Sequence, residues 1–172
     1  MNIAYNYVAR IDMRLYHGSN LIVEKPMLIV QTRTLDFGYG FYTTPTLKQA
    51  RSFSERVVKK QKTGIPIVSA YEFDEIKAAG LTRLHFEKAN GDWLRFIQEN
   101  RNGIYAGKKF DIISGPDAND DVYATINLFT AGELDEKDAI KRLEVRTLYH
   151  QIVFSTDSAI KCLKFVKSEE AE

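Results

Sequence analysis

Residues Leu35–Phe53 read LDFGYGFYTTPTLKQARSF, and the order of residue types in this stretch sets the architecture. Gly38 and Gly40 flank Tyr39, a strand-like run GFYTT follows, and Pro45 opens a segment with helical spacing. Glycines ahead of an aromatic mark a turn or a close backbone approach. From Thr46 onward, Leu47, Ala50, Phe53, Ser54, Val57 and Val58 recur at helical intervals between lysines and arginines, with Gly64 beyond the end. That pattern predicts an amphipathic helix. A turn, a strand and a helix therefore follow one another directly.

Working outward, MRLYHGS (13–19) reads as a strand ending at a Gly-Ser turn, and MLIVQ (27–31), after Pro26, as another. IPIVSAYEF (65–73) is the clearest strand, rich in β-branched and aromatic residues. DWLRFIQENR (92–101) predicts a helix capped by Asp92 with Trp93, Phe96 and Ile97 on its apolar face. FDIISGP (110–116) reads as a short buried strand stopped by Gly115-Pro116, VYATINLFTAG and DEKDAIKRL as helices, and YHQIVFST as a strand. DSAIKCLKFV (157–166) suits either a helix or a strand, and the charged tail KSEEAE (167–172) reads as a frayed end. Strands and helices mix without regular βαβ alternation, so the expected class is α+β, with residues 1–172 as one domain preceded by an extension over 1–12.

Composition narrows the function classes. Lys and Arg number 24 against 23 Asp and Glu, a balance that disfavours holding nucleic acid mainly by phosphate neutralisation. Cys162 is the single cysteine, which excludes an internal disulfide and suits a reducing compartment. No long apolar run and no basic leader is present, so a soluble, cytoplasmic protein without membrane contact is expected.

His17, His85 and His150 are isolated in sequence, without His-x-x-x-His or Cys-x-x-Cys spacing, so no metal site is expected. GYGFYTT lacks both the Lys-Ser/Thr of a P-loop and the full dinucleotide fingerprint. Cys162, within AIKCLKF, suits a buried inert thiol. Asp111, Gly115, Pro116, Asn119, Asp120 and Asp121 form a dense polar turn that reads either as Asx capping or as the rim of a cleft. What remains is the set YHGS, GFYTT and HQIVF. A strand-end histidine offers ring nitrogens to sugar hydroxyls, a neighbouring glycine opens the backbone to an amide, and an aromatic on a short strand can stack a flat ring. Each of these residues, taken singly, is more often a core or strand-edge residue than part of a site. Their conjunction describes a pocket for a planar amide on a ribose.

That conjunction resembles the ADP-ribosyltransferase superfamily, including its poly-ADP-ribose polymerase and diphtheria-toxin branch. YHGS is similar to the branch's His-Gly-Ser, GYGFYTTPTLKQARSF to its glycine, tyrosine and following helix, and DIISGPDANDDVY and HQIVFSTDSAIKCLKF to an uncharacterised bacterial branch often encoded beside a small antitoxin-like protein. The resemblance covers Arg14 to Val166. It implies a split β-sheet with flanking helices, NAD as ADP-ribose donor, and mono-ADP-ribosyl transfer to an unidentified acceptor without a metal. A toxin role with a small antitoxin partner is part of what it implies. Residue by residue, it gives His17 the adenine-side ribose hydroxyl, Gly18 the carboxamide, and Tyr42 and Phe53 the two faces of the nicotinamide, with Ser19, Gly40 and Thr43 also lining the NAD site. Gln151 stands where the family's catalytic glutamate would. An amide can bond the nicotinamide-ribose hydroxyl but brings no charge and no basicity. The resemblance therefore leaves a second reading, a weak or inactive NAD-binding or partner-binding module.

Overall fold

The computed structural model describes residues 13–29, 35–118, 120–144 and 148–171. The order is β1 (Met13–Ser19), β2 (Phe41–Thr43), α1 (Leu47–Gln61), β3 (Ile67–Phe73), β4 (Arg83–His85), α2 (Gly91–Arg101), β5 (Ile112–Pro116), α3 (Asp120–Thr130), α4 (Glu136–Glu144), β6 (His150–Phe154), α5 (Asp157–Ile160) and β7 (Leu163–Glu170). These elements form a mixed α+β architecture of two sheets, one ordered β1-β3-β7 and the other β2-β6-β5-β4. Every pairing is antiparallel except that of β4 with β5. A bridge between Tyr16 and Thr44 joins β1 to β2, with N–H···O distances of 2.8 and 2.9 Å.

Alternation along the strands divides the apolar residues between two cores. Trp93, Leu94 and Ile97 of α2 pack with Val122, Ile126 and Leu143 of α3 and α4 against Ile113 and Val153 of the four-stranded sheet. Leu15, Phe41, Tyr71, Phe73, Ile112 and Phe154 form a second core shared by both sheets, with Ile160 and Cys162 beneath it. Trp93 has no exposed surface and donates its indole N–H to the Pro116 carbonyl at 3.0 Å, tying α2 to the end of β5.

Helix α1 lies on β1 because β1 offers no side chain at the crossing. A Cβ on Gly18 would stand 2.1 Å from the Ala50 carbonyl oxygen and 2.9 Å from the Ser54 nitrogen. Ala50 and Ser54 are correspondingly the small residues buried on the helix, together with Gln49. The helix ends at Lys62, whose φ of 55° is left-handed and whose N–H bonds the Val58 carbonyl.

Several expectations need correction. Met27–Ile29 form no strand, and Val30 and Gln31 lie outside the described residues, as does the 1–12 extension. The cap of α2 is Asn90, whose side chain accepts from the Trp93 N–H, and Asp92 sits inside the first turn. Gly115 and Pro116 belong to β5 instead of stopping it. DSAIKCLKFV divides into the short α5 and the start of β7. Most of the tail is no frayed end: Lys167–Glu170 pair with β3, and the Ala171 N–H bonds the Pro66 carbonyl at 2.9 Å. Three-residue β4 has no counterpart in the sequence reading, being too short to show alternation.

Candidate functional site

Val153 of β6 pairs with Tyr42 on one side and Ile113 on the other, so these three side chains share a sheet face. Period-two alternation places Gln151, Gly115 and Thr44 on that face as well, and the β5 register pairs Gln151 directly with Gly115. Asp117 follows Gly115 by two residues, its N–H bonded to the Tyr149 carbonyl at 2.7 Å. One end of this face is therefore polar.

Its hydrogen bonds have a fixed direction. The Thr46 N–H donates to Thr44 Oγ1 at 3.1 Å, and the Thr44 hydroxyl donates to Gln49 Oε1 at 2.5 Å. Gln49 Nε2 then donates to Asp117 Oδ2 at 2.8 Å. Because the chain starts from a backbone donor, the Gln49 amide has a single orientation and Asp117 is its acceptor. Beyond it, Arg101 Nε bonds Asp36 Oδ1 at 2.6 Å, and the Arg101 guanidinium lies 3.8 Å from the Tyr123 ring centroid. Burial, together with the Asp36 carboxylate, pushes the Asp117 carboxyl up to about 6, against the opposing Gln49 bond and the Arg56 and Arg101 charges.

Tyr42 is held by its phenol, which donates to the Gly38 carbonyl at 2.7 Å and accepts from the Phe37 N–H at 3.1 Å. Burial and the Asp36 carboxylate raise its pKa far above the usual tyrosine range. Gln151 is only 6% exposed, and its Nε2 has no hydrogen-bond partner among the described residues. A buried amide left so costs about 1–3 kcal/mol, which a bound acceptor oxygen would recover.

Helix α1 closes the side of this face. Gln49, Phe53 and Arg56 are four and three residues apart and so share one helical stripe. Gln49 anchors the stripe to Asp117, and Phe53 is 46% exposed with the Arg56 guanidinium 5.7 Å from its centroid. The helical spacing that predicted Phe53 on the packed face is corrected here. Small Ala50 and Ser54 make the contact with β1, and the Phe53 ring is left outside it.

The remaining residues separate. His17 stacks on Phe41 at a centroid distance of 4.4 Å and its Nδ1 bonds the Tyr42 carbonyl oxygen at 2.7 Å. The imidazole thus lies on the opposite strand face, beside the site through the β2 backbone, and burial lowers its pKa. Thr43 also faces away, its hydroxyl donating to the Ile152 carbonyl at 2.8 Å. Ser19 Oγ contacts neighbouring Asn20 Oδ1 at 3.5 Å. Gly40 makes room for β6, since a Cβ there would meet Val153 Cγ1 at 2.4 Å. Gly18 lies under α1 as described. In the polar turn, Asp111 is a structural hub that accepts from Thr82 and Thr156, while Asn119 and the Asp120 and Asp121 side chains lie outside what is described.

Sequence reasoning brought Tyr42, Gln151 and Phe53 to the site and missed Gln49, Asp117, Asp36 and Arg101. His85 and His150 are distant in sequence but stack at 6.5 Å on the opposite face of the four-stranded sheet, where His150 pairs with Pro116 next to Gln151, with His85 Nδ1 on Ser114 Oγ at 2.8 Å. Among the described residues no group of three or more His, Cys, Asp or Glu is arranged to hold a metal ion, and no helix is long and apolar enough to cross a membrane. The Cys162 thiol is buried, and burial raises its pKa.

No curated protein and no solved structure matches the chain. Residues 13–165 match the model of a family described as "Protein of unknown function (DUF3990)", which takes in every element from β1 to the first three residues of β7. The chain belongs to the DUF3990 family.

Proposed function

We propose that the chain is an NAD-dependent mono-ADP-ribosyltransferase, its two sheets forming an ADP-ribosyltransferase-like split sheet with the donor held between β2, β6 and α1. The observation that carries this reading is Gln151, whose buried Nε2 has no partner among the described residues, on the same sheet face as Tyr42. A ribose hydroxyl oxygen is the kind of acceptor that such an amide lacks. Tyr42 and the exposed Phe53 ring would bracket the nicotinamide. NAD supplies a ribosidic bond to a pyridinium leaving group. The residues of this chain orient that bond, exclude water with Phe37 and Trp93 behind them, and hold the hydroxyl next to the carbon that gains positive charge.

Nicotinamide release from NAD tests the proposal. Gln151→Ala should slow release by about ten- to a hundredfold, as expected for one transition-state hydrogen bond. Gln151→Glu should keep the geometry, add charge and raise hydrolysis. Three equal rates at background would overturn catalysis. They would favour the second reading, a non-catalytic NAD-binding or partner-binding module, for which the uncharged Gln151 is the specific observation. The toxin role belongs to the same proposal: induced expression should arrest growth, and Gln151→Ala should relieve the arrest.

A further inference from the structure

We propose that Asp117 is the general base of this site and that the acceptor is a hydroxyl group, an inference that rests on the NAD reading above. The bond from the ribosidic carbon to the pyridinium nitrogen breaks, and its electron pair leaves with neutral nicotinamide. The acceptor oxygen bonds that carbon, and its proton passes to the Asp117 carboxylate and then to water. Gln151 cannot take this proton, because an amide nitrogen has no basic lone pair. A carboxylate acceptor would need no base, whereas a hydroxyl does.

The geometry supports the assignment at three points. Asp117 lies two residues from Gly115, the strand partner of Gln151, so the carboxylate and the amide that has no partner among the described residues occupy neighbouring positions of one face. Gln151 is 94% removed from solvent by its 6% exposure, whereas Asp117 keeps a partly accessible surface through which an acceptor can approach. The Thr44–Gln49 chain donates to Oδ2 and fixes the carboxylate without neutralising it. The other nearby acid, Asp36, is already engaged by Arg101 in a largely buried pair.

Asp117 is faced by Asp36 from the turn before β2, Tyr42 from β2, Gln49 and Arg56 from α1, and Arg101 from the end of α2. With its carboxyl at about 6 it is mostly ionised at neutral pH and still basic enough to accept a proton.

The experiment measures NAD affinity by calorimetry and nicotinamide release across pH, with water as the hydroxyl acceptor. Wild-type release should rise through about pH 6 to a plateau. Asp117→Asn keeps an oxygen for Gln49 and should leave NAD affinity within about threefold, slow release by about a hundredfold or more, and abolish the limb near pH 6. Asp117→Glu should restore part of the rate and the limb. Wild-type release together with an unimpaired Asp117→Asn, limb intact, overturns the role of Asp117 alone. A wild type that neither binds NAD nor releases nicotinamide overturns the NAD reading and this inference with it.

Discussion

Asp117 destabilises the folded chain whenever it is ionised, because burial and Asp36 raise its carboxyl from 3.8 to about 6. A carboxyl raised on folding binds its proton more tightly in the native state. Its contribution to stability is therefore full below about pH 4 and is lost as pH rises through about 6. Asp117→Asn removes this penalty while Gln49 keeps an acceptor. The variant should be more stable than wild type at pH 7 by on the order of 2 kcal/mol, with the difference shrinking toward pH 4. Urea unfolding at both values checks it; a less stable variant at pH 7 would mean that the charge is needed for the fold. A residue that weakens the fold and slows nothing when neutralised has no evident reason to be there, so stability and release measured on one variant constrain each other. Asp117 was hardly legible in the sequence. Within SGPDAND an aspartate reads as turn chemistry, and the glutamine that fixes its role is 68 residues away.

At the scale of elements, the contact that positions the site is α1 on β1. Gly18 permits it, since any Cβ would drive into the Ala50 carbonyl. Gly18→Ala should push the helix off the strand, at about 1–3 kcal/mol for overpacking, and weaken NAD binding because Gln49 and Phe53 move with the helix. A variant of unchanged urea midpoint and NAD affinity would show that the helix yields without loss. The helix itself was legible: apolar residues at intervals of three and four are enough to locate Leu47–Gln61. Its packed face was not, because periodicity weighs Phe53 above Ala50, whereas the crossing at Gly18 selects for smallness. The same glycine that suggested an opening for a ligand amide serves, in the folded chain, the approach of the helix. Both uses depend on a bare backbone, so only the binding half of this measurement bears on the ligand.

On the scale of the whole molecule, the α+β class was legible from the mixture of strand and helix patterns, but the division into two sheets was not. Sheet membership is a matter of long-range pairing: β1 and β7 flank β3 from opposite ends of the chain. The tail illustrates the gap. KSEEAE has the composition of a solvated end, yet an edge strand is where charged residues belong, with one face in water and lysines discouraging further pairing. Lys167–Glu170 continue the ladder along β3, Glu169 accepts from Arg51 of α1 at 2.9 Å, and the Ala171 N–H bonds the Pro66 carbonyl. The tail thus braces both the strand beside β1 and the helix that closes the site. Deleting residues 167–172 should strip these backbone bonds and leave part of the β3 edge open. The expected loss is about 2–4 kcal/mol, at about 1 kcal/mol net per bond, with the half-buried, solvent-screened Arg51–Glu169 pair adding little. The shortened chain should also self-associate through the uncovered β3 edge, because unpaired strand groups are a template for another chain. Urea unfolding and light scattering read the two effects separately. An unchanged midpoint in a monomeric chain would show that β7 beyond Val166 contributes nothing to the fold, and that α1 keeps its place without its partner at Glu169.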